Sequence, residues 1–230
     1  MFPIRDNVPS RSFPVMTVLL IVANTAIFIF EVAMGPKALA GFVTRNGLVP
    51  AQVTAYLAGR EVDAQRVFLP FFTSIFLHGG WLHLVGNMWF LWIFGDNVED
   101  RLGHVRFLIF FILCGLIGNY AHYRFNAASG LPAVGASGAI AGVLGAYVIS
   151  YPAARILVLL PLFIIIQFVE LPALVMVGFW FVLQFINGAA SLVASSETGG
   201  VAWWAHVGGF AGGIAIFYLF RPRARAWYRT

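Results

Sequence analysis

The sequence predicts an all-α polytopic membrane protein, a bundle of six transmembrane helices. Three observations carry this. Of its 230 residues, 60% are hydrophobic and 10% charged, against about 45–50% and about 25% in a soluble domain. The mean hydropathy is +0.86. Six apolar stretches, at about 13–33, 81–98, 106–124, 133–151, 171–192 and 200–220, approach the roughly 20 residues that a helix needs to cross a bilayer.

The first stretch is read as a retained span rather than a cleaved signal. No small-residue cleavage site follows Phe13–Val32, and Glu31 closes it. Residues 35–67 hold Lys37, Arg45, Arg60, Glu61, Asp63 and Arg66 and are expected to be a long loop with some amphipathic content. The apolar run 156–169 is short and contains Pro161. It is a re-entrant or interfacial piece, or an early start to the fifth helix. The whole chain, 1–230, is read as one membrane domain with a short N-terminal segment 1–12 and a basic tail 221–230.

Six spans put both termini on one side. Nine cations, Arg5, Arg11, Arg101, Arg106, Arg155, Arg221, Arg223, Arg225 and Arg229, fall on that side, and five, Lys37, Arg45, Arg60, Arg66 and Arg124, on the other. By the excess of cations on cytoplasmic loops, both termini are cytoplasmic. A seven-span arrangement would strand the Arg-rich tail outside. Trp81, Trp203 and Trp204 then sit at outer ends and Trp92 and Trp227 near inner ones, as interfacial belts do. The expected location is a plasma (inner) membrane of bacterial or archaeal type.

Several functions are excluded by composition. The single cysteine, Cys114, allows neither an internal disulfide nor a multi-Cys metal site and reads as a small core residue. The net charge of +5 is topological and calls for no nucleic-acid partner. There is no H-E-x-x-H for zinc and no pair of mid-span aspartates, so no metal and no cofactor are expected. A proton or solute transporter would use the five histidines. Against it stand the lack of mid-membrane acids and of an internal repeat of spans.

Polar residues converge at one depth. The second, fourth and sixth helices all start from the outer face, and each carries its polar groups early. His83 and Asn87 follow Gly79-Gly80, Ser137 follows Leu131-Pro132, and His206 follows Gly199-Gly200. At 1.5 Å per residue, all four lie about 5–10 Å below the outer boundary. Gly138 and Gly142 are four apart on one helix, as are Gly209 and Gly213 on another, a spacing that lets backbones approach in lipid. His206, Gly209 and Gly213 share a face. Taken singly, such glycine pairs pack helices without chemistry, a serine in a span is a packing group, and His83 with Asn87 is an interhelical hydrogen-bonding pair. Taken together, the hydroxyl and imidazole read as a nucleophile and its base. His83 and Asn87, at i and i+4, then join the Ser137 N–H as donors to a developing oxyanion.

Three segments carry a family resemblance: Phe76-Leu77-His78-Gly79-Gly80-Trp81-Leu82-His83-Leu84-Val85-Gly86-Asn87-Met88, Gly135-Ala136-Ser137-Gly138 with Gly142, and Ala205-His206-Val207-Gly208-Gly209 with Gly213. In this order, over about Arg66 to Phe220, the chain resembles the rhomboid intramembrane serine proteases. The resemblance implies a six-helix fold, Ser137 as nucleophile, His206 as general base, and His83 and Asn87 as oxyanion stabilisers. It implies that the fifth helix and the loop after it gate lateral access of substrate, and that the long first loop lies partly in the outer leaflet. It implies substrates that are single-span proteins with a helix-weakening segment near the outer face and small residues at the cut. Two positions depart from the family pattern. Ala141 stands where many members carry a tyrosine stacked under the histidine ring, and residues 35–67 lack a Trp-Arg pair.

The chemistry expected is acyl transfer by a Ser-His dyad without an acid. Glu31 is at the outer end of the first helix, and Asp96, Glu99, Asp100 and Glu170 belong to the inner side. A non-proteolytic relative that binds or escorts membrane helices would be expected to lack the serine or the histidine, and both are present. Thr73, Ser74 and His78 are candidates to admit water. Asn24, Asn119, Gln167, Gln184 and Asn187 are read as helix-packing groups, the last two as candidates to face the gate. His104 and His122 are read as interfacial. Expected partners are transmembrane protein substrates and membrane lipid. The sequence leaves the oligomeric state and the cleavage sequence open.

Overall fold

In the computed structural model, which describes residues 1–162, 165–193 and 201–220, six helices follow the six apolar stretches. They are α1 (Val15–Ala33), α5 (Trp81–Leu102), α6 (His104–Phe125), α7 (Ser137–Ser150), α8 (Ala173–Val193) and α9 (Trp203–Phe220). By length and composition, α1, α6, α8 and α9 can each cross a bilayer. The fifth candidate is a bent pair: α4 (Ala64–Thr73) with the turn after it, and then α5, meet at 73°. The expected sixth, α7, has only 14 residues. That is about 21 Å of helix against a hydrocarbon core of about 30 Å. The chain before Ser137 is non-helical, and there Leu48 and Ala133 form an isolated antiparallel bridge. Irregular backbone at depth is tolerated where protein covers it.

Residues 35–67, expected as a loop, are mostly helical: α2 (Pro36–Asn46), α3 (Pro50–Leu57) and the start of α4. The start signals were present. Pro36 and Pro50 stand in the first turns, where proline's fixed φ is pre-set for helix. Asp63 caps α4 by accepting from the Gln65 N–H at 2.9 Å.

The run 156–169 is neither re-entrant helix nor an early start to α8. It forms the hairpin β2 (Arg155–Leu162) and β3 (Ile165–Pro172), and β2 also pairs antiparallel with β1 (Phe2–Asp6). Ile156 and Val158 are fully buried, while Leu157 and Leu159 are half-buried, which is the period of two of a strand. Because both faces are apolar, the alternation is invisible in the sequence, and such a run reads as strand or helix alike. Gln167 therefore sits exposed on a strand rather than packing a helix.

The N-terminal segment is docked rather than trailing. The Trp89 indole N–H donates to the Pro3 carbonyl at 2.7 Å, the Tyr147 hydroxyl donates to Asp6, and Asn7 accepts from the Arg155 N–H. Burial pushes the Asp6 carboxyl above the usual carboxylate range, and the Tyr147 bond pulls it part of the way back. Asp100 accepts from the backbone of Arg11 and Ser12 and from the Ser12 hydroxyl. Glu99, 1% exposed, accepts from the Met16 and Thr17 N–H groups at 2.9 and 2.8 Å. It also accepts from the Thr17 hydroxyl and from His104 Nδ1. The first turn of α1 has no side-chain cap of its own, so Glu99 supplies one from α5 and meets the positive end of the helix dipole. Gly103, at φ +81°, joins α5 to α6 directly, a backbone state that favours glycine.

The core is built around α7, whose residues from Gly138 to Val148 are all buried. It is sandwiched by α5, α6 and α9. The α7–α9 crossing is a main-chain contact. A Cβ on Gly209 would overlap the Gly138 carbonyl, and one on Gly213 would lie 2.5 Å from the Gly142 oxygen. The other glycines of α9 face α6: a Cβ on Gly208 would overlap the Ala121 methyl, and one on Gly212 would sit 2.6 Å from Ile117 Cγ2. So Gly208-Gly209 and Gly212-Gly213 make two stripes, one per neighbour. Trp204, expected in an interfacial belt, is buried at 7% exposure. It stacks on Phe125 at 3.8 Å and donates to the Gly188 carbonyl, tying α9 to α6 and α8. The expected belt residue Trp227 and the tail arginines lie outside the described residues.

Two stability predictions follow from this packing, both read by unfolding in detergent micelles. Gly209→Ala costs about 1–3 kcal/mol, as overpacking does, whereas Gly178→Ala, with no atom within 4 Å of the added carbon, costs nothing. Glu99→Ala strands the buried N–H groups of α1 and costs about 1–3 kcal/mol.

Candidate active site

The site assembles where α5, α7 and α9 begin. The approach to α7 is set by Gly135, whose φ of +131° favours glycine and whose N–H donates to the Ser74 carbonyl at 2.8 Å. A Cβ there would also sit 2.7 Å from His83 Nε2. The chain then enters α7 at Ser137, the first helical residue, whose N–H has no intrahelical acceptor. Ser137 is half-buried.

His206 stands one turn into α9 and is 6% exposed. Its Nε2 lies 2.7 Å from Ser137 Oγ, and its Nδ1 lies 2.7 Å from Gln184 Oε1. The Trp180 ring lies 5.8 Å from the imidazole and tilted by 34°, and the Trp203 ring approaches edge-on at 6.3 Å. Ala141 is fully buried, and the aromatic contacts to the imidazole come from Trp180 and Trp203. The approach of α9 to α7 at Gly138–Gly209 brings the two side chains within reach.

His83 and Asn87 lie on one face of α5. His83 Nδ1 accepts from the Gly79 N–H at 3.3 Å, so the ring proton is on Nε2, the atom turned toward Gly135. Asn87 is 7% exposed, and its Nδ2 has no hydrogen-bond partner among the described residues. A buried amide donor left open is costly. No group of three or more potential metal ligands occurs among the described residues.

Other polar residues are committed elsewhere. The Thr73 hydroxyl donates to the Asn46 carbonyl, and Ser74 Oγ accepts from Asn119, which also bonds the Phe71 carbonyl. These two candidates for admitting water are therefore tied up, Thr73 at the end of α2 and Ser74 against α6. His78 is not: both its ring nitrogens are buried without a partner among the described residues, and its ring lies 5.2 Å from that of His83. Glu31 is fully buried at this same pole and accepts from the His78 N–H at 3.3 Å. Asn187 is exposed and bonds its own helix at the Leu183 carbonyl. Gln184, expected from the sequence as a packing or gate residue, is the partner of His206. The available signal was Trp180 and Gln184 at i and i+4 on one face of an otherwise apolar helix.

The family follows from comparison with known proteins. The Rhomboid domain family model matches residues 65–223. Presenilin-associated rhomboid-like protein A, mitochondrial, of Danio rerio is 30% identical over 217 residues, 86% of this chain and 51% of that protein. Its counterpart in Homo sapiens is 31% identical over 137 residues, 52% of this chain and 36% of that protein. Rhomboid protease GluP of Bacillus subtilis is 41% identical over 83 residues, 36% of this chain and 16% of that protein. The chain thus spans about half or less of the length of these relatives. The matched domain takes in the serine on α7, the histidine on α9 and the α5 face beside them: this multi-pass membrane chain belongs to the rhomboid family.

Proposed function

We propose that the chain is an intramembrane serine endopeptidase that cleaves transmembrane segments of membrane proteins near the face on which Ser137 opens. The observation that carries the reading is the 2.7 Å contact of Ser137 Oγ with His206 Nε2. That is hydrogen-bond reach between a nucleophile and a base. Ser137 Oγ attacks the scissile carbonyl as its proton passes to Nε2. The oxyanion accepts from the Ser137 N–H, the Asn87 amide and His83 Nε2–H. The resulting imidazolium protonates the leaving amine. Water then deacylates the serine by the same path in reverse. Glu31, bonded at His78, takes no part in orienting His206. The arginine distribution supports a cell membrane with both termini cytoplasmic. The name of GluP supports proteolysis, and the word mitochondrial in the other relatives' names belongs to those proteins.

The test is cleavage of a single-span substrate with a helix-weakening segment, in liposomes. Ser137→Ala and His206→Ala abolish product. Asn87→Ala lowers kcat by about 10²–10³-fold, the effect of losing one oxyanion donor. Undiminished cleavage by Ser137→Ala refutes the assignment. Binding of the substrate without cleavage by the parent chain would favour a helix-escort protein instead.

A further inference from the structure

An imidazole that receives the serine proton on Nε2 must carry its own proton on Nδ1. Which nitrogen holds it is set by the hydrogen bond made at the other. Here Nδ1 lies 2.7 Å from Gln184 Oε1, and a carbonyl oxygen only accepts. The amide is oriented in turn, because Gln184 Nε2 donates to the Trp180 carbonyl at 3.3 Å, which leaves Oε1 to face the ring. Gln184 is 7% exposed and His206 6%, so bulk water offers little substitute acceptor.

We propose that Gln184 is a positioning residue of the Ser137–His206 pair: its side-chain carbonyl holds His206 as the Nδ1–H tautomer, with the Nε2 lone pair directed at Ser137 Oγ. The inference rests on the protease reading above. Among soluble enzymes the place is taken by a carboxylate in Ser-His-Asp sites and by a neutral amide in Cys-His-Asn sites. A neutral amide suits this setting, since a carboxylate would have to be buried as a charge. The proton balance is simple. One proton moves from Ser137 Oγ to Nε2, and Gln184 keeps both of its own. The Nδ1–H bond becomes charge-assisted while the ring is cationic. Trp180 completes the mount: one turn before Gln184, its ring lies beside the imidazole, where Ala141 leaves no aromatic support from α7.

The parent, Gln184→Met and Gln184→Glu test this, with Ser137→Ala and His206→Ala as controls. Methionine keeps the length of glutamine and removes the acceptor, and glutamate keeps an acceptor oxygen. The expected result is a kcat for Gln184→Met lower by about 10–10²-fold, the range for a buried donor left unpaired, with KM unchanged. Gln184→Glu recovers most of that loss. The ring ¹⁵N spectrum of His206, assigned by difference from His206→Ala, shows the proton on Nδ1 in the parent and a shift toward Nε2–H in Gln184→Met. A merely structural role would lower thermal stability without moving the tautomer. Ser137-dependent cleavage that Gln184→Met leaves at the parental rate overturns the inference and spares the protease reading. A parental spectrum with the proton on Nε2 does the same, and needs no variant to fold. Cleavage by Ser137→Ala at the parental rate is the separate result that overturns the protease reading.

Discussion

The approach of α9 to α7 at bare backbone is the constraint on which the rest depends. In lipid no hydrophobic effect pulls helices together. Association rests on dispersion and on interhelical hydrogen bonds, and both need close approach. Gly209 and Gly213 on α9 meet the Gly138 and Gly142 backbone on α7 with no room for a methyl on either α9 glycine. Ser137 and His206 sit at the end of that seam, beside its first glycine pair. Their separation is therefore set by main chain against main chain rather than by flexible side chains. Gly208 and Gly212 extend the same device to α6, so α9 lies closely against two helices.

The two poles divide the work. At the pole of the N-terminal segment, Glu99 and Asp100 gather the start of α1 and the chain before it onto α5, and a three-stranded sheet ties in residues 2–6. Charge there is spent on architecture. At the other pole the contacts around Ser137 are neutral: a hydroxyl, imidazoles, amides and the N–H of a helix end. Such groups can be desolvated at moderate cost and still stabilise a developing charge. The carboxylate found there, Glu31, is kept at the His78 backbone. Ser137 is half-buried there and His206 is buried.

Much of this was legible in the sequence, for physical reasons. Hydrocarbon demands long apolar helices, so six stretches announced six helices. Glycines at spacing four announced close crossings, and reactive groups early in three helices announced a shared depth. What was not legible had equally physical causes. The hairpin at 155–172 is apolar on both faces, so its period of two is masked. The length of α7 could not be read because extended chain before Ser137 is as apolar as the helix. Helices α2 and α3 carry no uniform apolar stripe, only proline start signals. Trp204 resembled a belt residue because its neighbours Phe125 and Gly188 are remote in sequence. Gln184 resembled a packing group because its meaning comes from α8 lying against α9.

The most direct measurement is covalent. A fluorophosphonate, which reacts with a serine hydroxyl only when a base activates it, is incubated with the membrane-embedded chain, and the adduct is located by peptide mass spectrometry. The account predicts one adduct, on Ser137, present in the parent and lost in His206→Ala. An unmodified Ser137 in folded protein, or an adduct that forms equally well without His206, would contradict it.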